Sequence, residues 1–230
     1  MTVKKILFEA CVDSPESSIA AQEGGADRLE LCADLLEGGI TPSAGTIDLV
    51  CKKVNIPVMV MVRPRGGDFC YSDYEFEEMK RDIELAKQYN ISGVVFGILN
   101  EDGTVDKKRV NELVQLARPL KITFNRAFDM TRDPFEALNN LIELGIERVL
   151  TSGHEINVDE GIETLKKLVE RSENKIIIMP GGGVNENNAA KIVNRCNVKE
   201  IHGSARVKKE NGMMTTSAER IRKIKEAVNG

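Results

Sequence analysis

The sequence predicts an α/β protein built as one (β/α)8 barrel, a TIM barrel, and three observations carry that expectation. Short apolar and β-branched runs alternate along the chain with amphipathic stretches, the pattern of repeated βα units around a parallel sheet. Eight such units can be counted, and 230 residues is the compact end of the length that eight units need. No G-x-G-x-x-G follows the first run, which counts against the doubly wound open sheet, the other architecture of repeated βα units.

The predicted strands are 6–12, 28–32, 57–63, 93–99, 121–126, 148–152, 175–180 and 200–204. The predicted helices are 15–23, 43–54, 72–89, 106–118, 134–144, 158–170, 186–196 and 216–228. Ser14-Pro15-Glu16, Thr41-Pro42-Ser43 and Asp133-Pro134-Phe135-Glu136 each set a capping side chain before a proline whose fixed φ suits a first helical turn. Gly24-Gly25 and Gly145 supply turns before the next strand. Residues 1–230 are therefore read as one domain.

Composition narrows the function. With 41% hydrophobic residues, 30% charged residues and a net charge of −4, the chain shows no concentrated Lys/Arg surface. That counts against nucleic acid, which needs clustered cations to release counterions, and against a polybasic membrane contact. Glu9 interrupts the first apolar run after two lysines, so no signal peptide is expected, and no stretch approaches the ~18 apolar residues of a membrane span. A cytoplasmic location follows as an expectation. Five scattered cysteines, an odd number, are expected to stay reduced.

Function in such a barrel sits where the strands end. Side chains alternate along a strand, and the outer face must be apolar to pack under helices. Phe8 and Ala10, Leu29 and Leu31, Val58, Val60 and Val62, Phe124 and Ile201 are assigned to that outer face. Their neighbours then point inward, and the catalytic candidates are Glu9, Glu30, Arg63, Asn125 and His202. Cys11 and Cys32 lie one step higher, with Arg65 and Asp68 on the loop above. Two carboxylates on strands ~5 Å apart repel unless a cation separates them or one takes a proton. Arg63 is the expected partner, and barrel closure is expected to bring His202 beside Glu9. The competing reading is a structural ion network that helps to close the barrel.

Four loops are rich in glycine or small hydroxyls: 65–68, 151–153, 180–185 and 203–206. Glycine lets backbone N–H groups approach an anion, although tight βα turns need glycine too. The candidates for binding a substrate or anion are Arg65, Asp68, Arg126, Asp129, Ser152, Gly181, Gly182, Gly183 and Ser204. Cys11 and Cys32 are the metal candidates, since two soft thiolates at adjacent strand ends suit Cu(I) or Zn(II). Against that, free cysteine is a common small core residue, and Met59 and Met61 are read as barrel filling. A third arrangement uses both glutamates and His202 to hold a harder divalent ion for enolisation or aldol chemistry. Cys51 and Cys196 fall on helices, Cys70 on a loop, and His154 is read as a loop surface residue.

The segments GADRLELCADLLEGGITPS (25–43), VRPRGGDFCYSDYEFEEM (62–79), FNRAFDM (124–130) and LGIERVLTSG (144–153) resemble the signature blocks of the CutC family, named as copper homeostasis proteins. The resemblance implies a (β/α)8 barrel, a cytoplasmic location and a homo-oligomer, with a dimer favoured. It also implies a copper role in which the positions of Cys11 and Cys32 supply the ligands. One position departs: the family motif usually reads Phe-His-Arg-Ala-Phe-Asp, whereas this chain has Phe124-Asn125-Arg126-Ala127-Phe128-Asp129. Asparagine cannot act as a general base near neutral pH, so His202 would have to carry any proton transfer. Two functions stay open: a copper-binding protein using Cys11 and Cys32, and an enzyme of unassigned reaction on a small anionic or phosphorylated metabolite. In the second, Arg63, Arg65 and the Gly181-Gly182-Gly183 loop would grip the anion. A catalytically idle scaffold is the third.

Overall fold

The computed structural model describes residues 5–230. Met1 to Lys4, part of the stretch read above for a signal, lie outside the described residues. Strands β1 (Leu7–Val12), β2 (Arg28–Leu31), β3 (Val58–Met61), β4 (Gly93–Phe96), β5 (Lys121–Phe124), β6 (Arg148–Thr151), β7 (Ile177–Pro180) and β8 (Glu200–Gly203) form one parallel sheet in the order β7-β6-β5-β4-β3-β2-β1-β8. The ring closes where β7 meets β8: Gly181, just after β7, lies so near the His202 ring that an added Cβ would sit 3.2 Å from it. The expected TIM barrel is the observed fold.

The helices wrapping it are α1 (Pro15–Glu23), α2 (Ala44–Lys53), α3 (Asp73–Ala86), α4 (Lys107–Ala117), α5 (Pro134–Glu143), α6 (Ile162–Ser172), α7 (Ala189–Cys196) and α8 (Ala218–Asn229). Most start where the capping residues predict. Ser14 and Asp133 each accept a first-turn N–H ahead of a proline, and Ser72 and Glu75 form a reciprocal capping box. Helix α2 is capped by Ser43 rather than Thr41.

Helices α6 and α7 begin later than predicted. Gly161 crosses Ser152 so closely that a Cβ there would meet the Ser152 carbonyl oxygen, so the chain turns out as a loop before α6 can start. Before α7, Asn185 and Asn188 bond the local backbone: Asn185 N donates to Asn188 Oδ1 at 2.8 Å and Asn187 N to Asn185 Oδ1 at 2.9 Å. Such Asx bonds compete with the helical ladder. A hairpin, β9 (Arg206–Lys208) and β10 (Met214–Thr216), was not foreseen between β8 and α8. Its turn carries Asn211-Gly212, with Gly212 at φ +84°.

The alternation argument holds. Phe8, Leu29, Val60, Phe124 and Ile201 are buried in the shell between barrel and helices, where each large side chain contributes about 1.5–3 kcal/mol. Inside the barrel, Cys11, Cys32, Met59, Met61 and Val95 form a separate small cluster. No helix of the described residues is long and apolar enough to cross a membrane.

Candidate metal centre at the barrel mouth

The barrel interior holds two polar layers. In the lower one Arg28 Nε binds the Glu9 carboxylate and its Nη2 donates to Glu200 Oε2 at 2.6 Å. Arg148 clasps the same Glu200 through Nε at 2.6 Å and Nη2 at 3.1 Å, and reaches Thr123 Oγ1 at 3.3 Å. Two guanidiniums thus meet two carboxylates, all buried. Burial alone would raise the Glu9 carboxyl, but Arg28, His202 and Arg148 outweigh it and hold its pKa down to about 2. Burial likewise opposes ionisation of Glu200, yet the two arginines keep it below the usual carboxylate range.

This layer corrects one expectation. The arginine beside Glu9 is Arg28, not Arg63, and the cationic group nearest Glu30 is His202. Arg63 turns away, its Nη1 donating to the carbonyls of Glu37 at 2.8 Å and Gly39 at 3.0 Å, its Nη2 to that of Gly67 at 2.9 Å. Arg28, Arg148 and Glu200 begin their strands, so the expectation that function sits where strands end passes them over. The signal was present: Arg28 shares the parity of Glu30, and Glu200 that of His202.

The upper layer stands on the lower. Register sets Glu9 beside both Arg28 and His202, and Cys11 beside Glu30. His202 Nδ1 lies 3.0 Å from Glu9 Oε1, the contact expected from closure, and its Nε2 lies 3.7 Å from Glu30 Oε2. Cys11 Sγ and Cys32 Sγ are 3.9 Å apart, and Cys32 Sγ is 3.6 Å from Glu30 Oε2. Two overlapping sets, Cys11-Glu30-Cys32 and Glu9-Glu30-His202, each bring their donor atoms within 4.8 Å of one another.

The electrostatics of this layer favour one thiolate. The Cys32 thiol hydrogen-bonds Cys11 and, with His202, lowers its pKa to about 5 against the cost of burial. Cys32 is pushed the other way by that same bond and by burial. Burial and the charge of Cys11 push the Glu30 carboxyl well above its ordinary range. Burial disfavours the imidazolium, but Glu30, Cys11 and Glu9 raise His202 well above a free histidine. Glu30 Oε1 is buried with no hydrogen-bond partner. This oxygen, on the carboxyl whose Oε2 meets Cys32 Sγ, is free to take a further partner.

The other predicted residues fall elsewhere. Asn125 is buried at the end of β5, but its Oδ1 accepts the Ala127 N–H at 3.0 Å and so caps a 3-10 turn, Arg126–Met130. Its amide nitrogen meets only Met61 Sδ, at 3.9 Å. Arg65 and Asp68 pair with each other at 3.0 Å, and Arg65 also binds Glu75 at 2.5 Å, so both brace the start of α3 rather than face the mouth. Arg126 donates to Asp129 at 2.8 Å and Ser152 at 2.9 Å, while Asp129 accepts the Ser152 N–H and the Thr151 hydroxyl. His154 is half-buried rather than superficial, 3.0 Å from Thr131 Oγ1. Gly182 and Gly183 both sit at φ +98°, and a Cβ on Gly182 would crowd the Arg126 guanidinium. Ser204 is half-buried on the loop after β8. Arg63, Arg126, Asp129 and His154 border a cleft of about 550 Å³ above the mouth, with Phe69 and Ile156 among its walls.

The CutC family matches residues 6–207 of the chain. A human protein named copper homeostasis protein cutC homolog is 52% identical over 207 residues, covering 90% of this chain and 76% of the relative. A CutC family protein from Parabacteroides distasonis is 48% identical, covering 88% and 84%. Among solved structures, CutC from Streptococcus agalactiae superimposes with a TM-score of 0.82 at 35% identity, covering 86% of this chain and 98% of its own. A thiamine phosphate pyrophosphorylase from Pyrococcus furiosus shares the barrel at TM-score 0.64 and 17% identity, a likeness of fold alone.

Proposed function

This chain belongs to the CutC family of copper homeostasis proteins, and we propose that it acts by holding one Cu(I) ion between Cys11 and Cys32. The observation that carries this reading is the pair of sulfurs 3.9 Å apart and sealed from solvent. Two metal–thiolate bonds of about 2.3 Å can span that separation. Soft sulfur donors with few hard oxygens favour a soft monovalent ion over a hard divalent one. Glu30, whose Oε1 has no other partner, stands where it can add a third contact. His202, braced by Glu9, supplies positive charge that offsets a two-thiolate complex.

Reduced thiols match the cytoplasm, and a cytoplasmic homodimer is part of this proposal. Light scattering that gives the mass of one chain would remove the dimer from it. The main test is copper stoichiometry under reducing, anaerobic conditions. We expect about one Cu(I) per chain, abolished in the double variant Cys11→Ser, Cys32→Ser. Unchanged stoichiometry in that variant would overturn the assignment.

A second reading, an enzyme acting on a small anionic or phosphorylated metabolite, rests on a different observation. The backbone N–H groups of Gly182, Gly183 and Ser204 have no partner among the described residues. Arg126, half-exposed and in contact with Gly182, would add positive charge beside them. Inorganic phosphate that raises the melting temperature of the parent protein but not of Arg126→Gln would support this reading; equal shifts would remove it.

A further inference from the structure

We propose that Arg63 is a positioning residue whose guanidinium latches the loop of residues 33–40 as a lid over the thiol pair. Its purpose rests on the copper reading, but its test does not.

The loop is closed at its base. Ala33 and Ile40 exchange backbone hydrogen bonds of 2.9 Å in both directions, so the intervening residues form a compact flap rather than an open strand connection. Its turn is shaped by positive φ at Asp34 (+42°), Gly38 (+83°) and Gly39 (+91°). The underside covers the sulfurs: Leu35 packs on the cluster of Cys11, Cys32, Met59, Met61 and Val95. Gly39 is so close that a Cβ there would lie 3.0 Å from Cys32 Sγ. Cys32 is 0% exposed and Cys11 8% as a result. Leu36, on the outer side, is 88% exposed. An ion reaching the sulfurs from the mouth has to displace this flap.

Arg63 is what holds it down. Among the described residues, it alone donates side-chain hydrogen bonds to residues 34–39, through Nη1 to Glu37 O and Gly39 O. Its Nη2 reaches Gly67 O and its guanidinium lies 4.6 Å from the centre of the Phe69 ring, so the latch also ties the flap to the loop after β3. The latch is anchored at its own backbone, since Arg63 N donates to Thr41 Oγ1 at 2.9 Å and Thr41 N to Arg63 O at 2.9 Å. The side chain is 5% exposed and forms no ion pair with any carboxylate of the described residues. A buried guanidinium is costly unless its hydrogen bonds are made, and most of those here are made to loop carbonyls. Opening the flap forfeits the two made to Glu37 and Gly39 together. The geometry is that of a two-position element, closed or open, with Arg63 setting the balance.

The test reads the lid without copper. In metal-free protein carrying Cys51→Ser, Cys70→Ser and Cys196→Ser, the reaction rate of the two remaining thiols with a disulfide reagent reports flap opening. Arg63→Gln is expected to speed labelling by about tenfold or more, with Arg63→Lys falling between it and the parent. A folded Arg63→Gln protein that labels within about twofold of the parent would overturn the proposal. The parent protein offers a second measurement should the variant not fold. Labelling that stays flat between zero and about 1 M urea supports local opening, whereas a rate climbing with the full slope of global unfolding overturns it. Loss of the copper assignment would appear in stoichiometry alone, and loss of the lid in these rates alone.

Discussion

The two polar layers inside this barrel differ in charge closure: the lower pairs two arginines with two glutamates, whereas the upper sets two cysteines against one glutamate and one histidine. Below, Arg28 and Arg148 meet Glu9 and Glu200 with each charge answered, and Glu9 is ionised well below the ordinary range. Above, two cysteines, a carboxyl and an imidazole crowd together with no arginine among them and leave Glu30 Oε1 without a partner. A balanced buried network stabilises and specifies a fold, whereas an unbalanced one marks a place where something else is to be held. The contrast argues that the lower layer, made largely of residues the sequence reading did not single out, is a structural ion network, and it leaves the upper layer as the candidate site.

Breaking the lower layer should have the largest effect. Glu200→Ala leaves Arg28 and Arg148 short of a counter-charge and is expected to cost about 3–5 kcal/mol, read as a lowered denaturant midpoint. A loss below about 1 kcal/mol would show that water enters and dissolves the distinction. Acid should act on the same layer. Because Glu9 is ionised in the folded chain down to about pH 2 but ordinarily titrates near 4.5, its stabilisation is complete above that ordinary value. It is lost as pH falls from 4.5 toward 2, in total about 3 kcal/mol. Glu9→Gln should flatten that part of the pH–stability curve.

A smaller effect is expected at the rim between the layers. Asn125→Ala removes the cap on the 3-10 turn and should cost about 1 kcal/mol, with Cu(I) stoichiometry unchanged. Copper loss in that variant would return Asn125 to the site. Smallest in stability is Glu30→Gln, expected within about 1 kcal/mol of the parent because burial already disfavours the charged carboxylate. Its readout is copper affinity, which should weaken while Glu200→Gln leaves it unchanged. Equal weakening by both would erase the difference between the layers.

Much of this arrangement was legible in the chain. Period-two alternation placed Phe8, Leu29 and Ile201 outside and Glu9, Glu30, Cys11, Cys32 and His202 inside, because a strand covered by helices tolerates only apolar residues on its outer face. The helix starts at Ser14 and Asp133 were equally readable, since capping is a local bond. Local competition hid other features: Asn185 and Asn188 delay α7, and Asn125, which parity turned inward, uses its oxygen on the next turn.

What the sequence by itself determined was therefore the architecture and the direction in which each strand residue points, because both follow from periodicity and from the cost of exposing apolar surface. Only the tertiary structure decided which charges meet. Arg28 rather than Arg63 answers Glu9 because strand stagger in a closed barrel sets the height of each residue, and no single strand encodes its neighbour's register. Only the tertiary structure laid residues 33–40 over Cys32, since that contact depends on an arginine more than twenty residues away donating to two carbonyls of the loop. Alternation turned Glu9, Cys11, Glu30 and Cys32 inward, and the closed barrel brought all four together at its mouth.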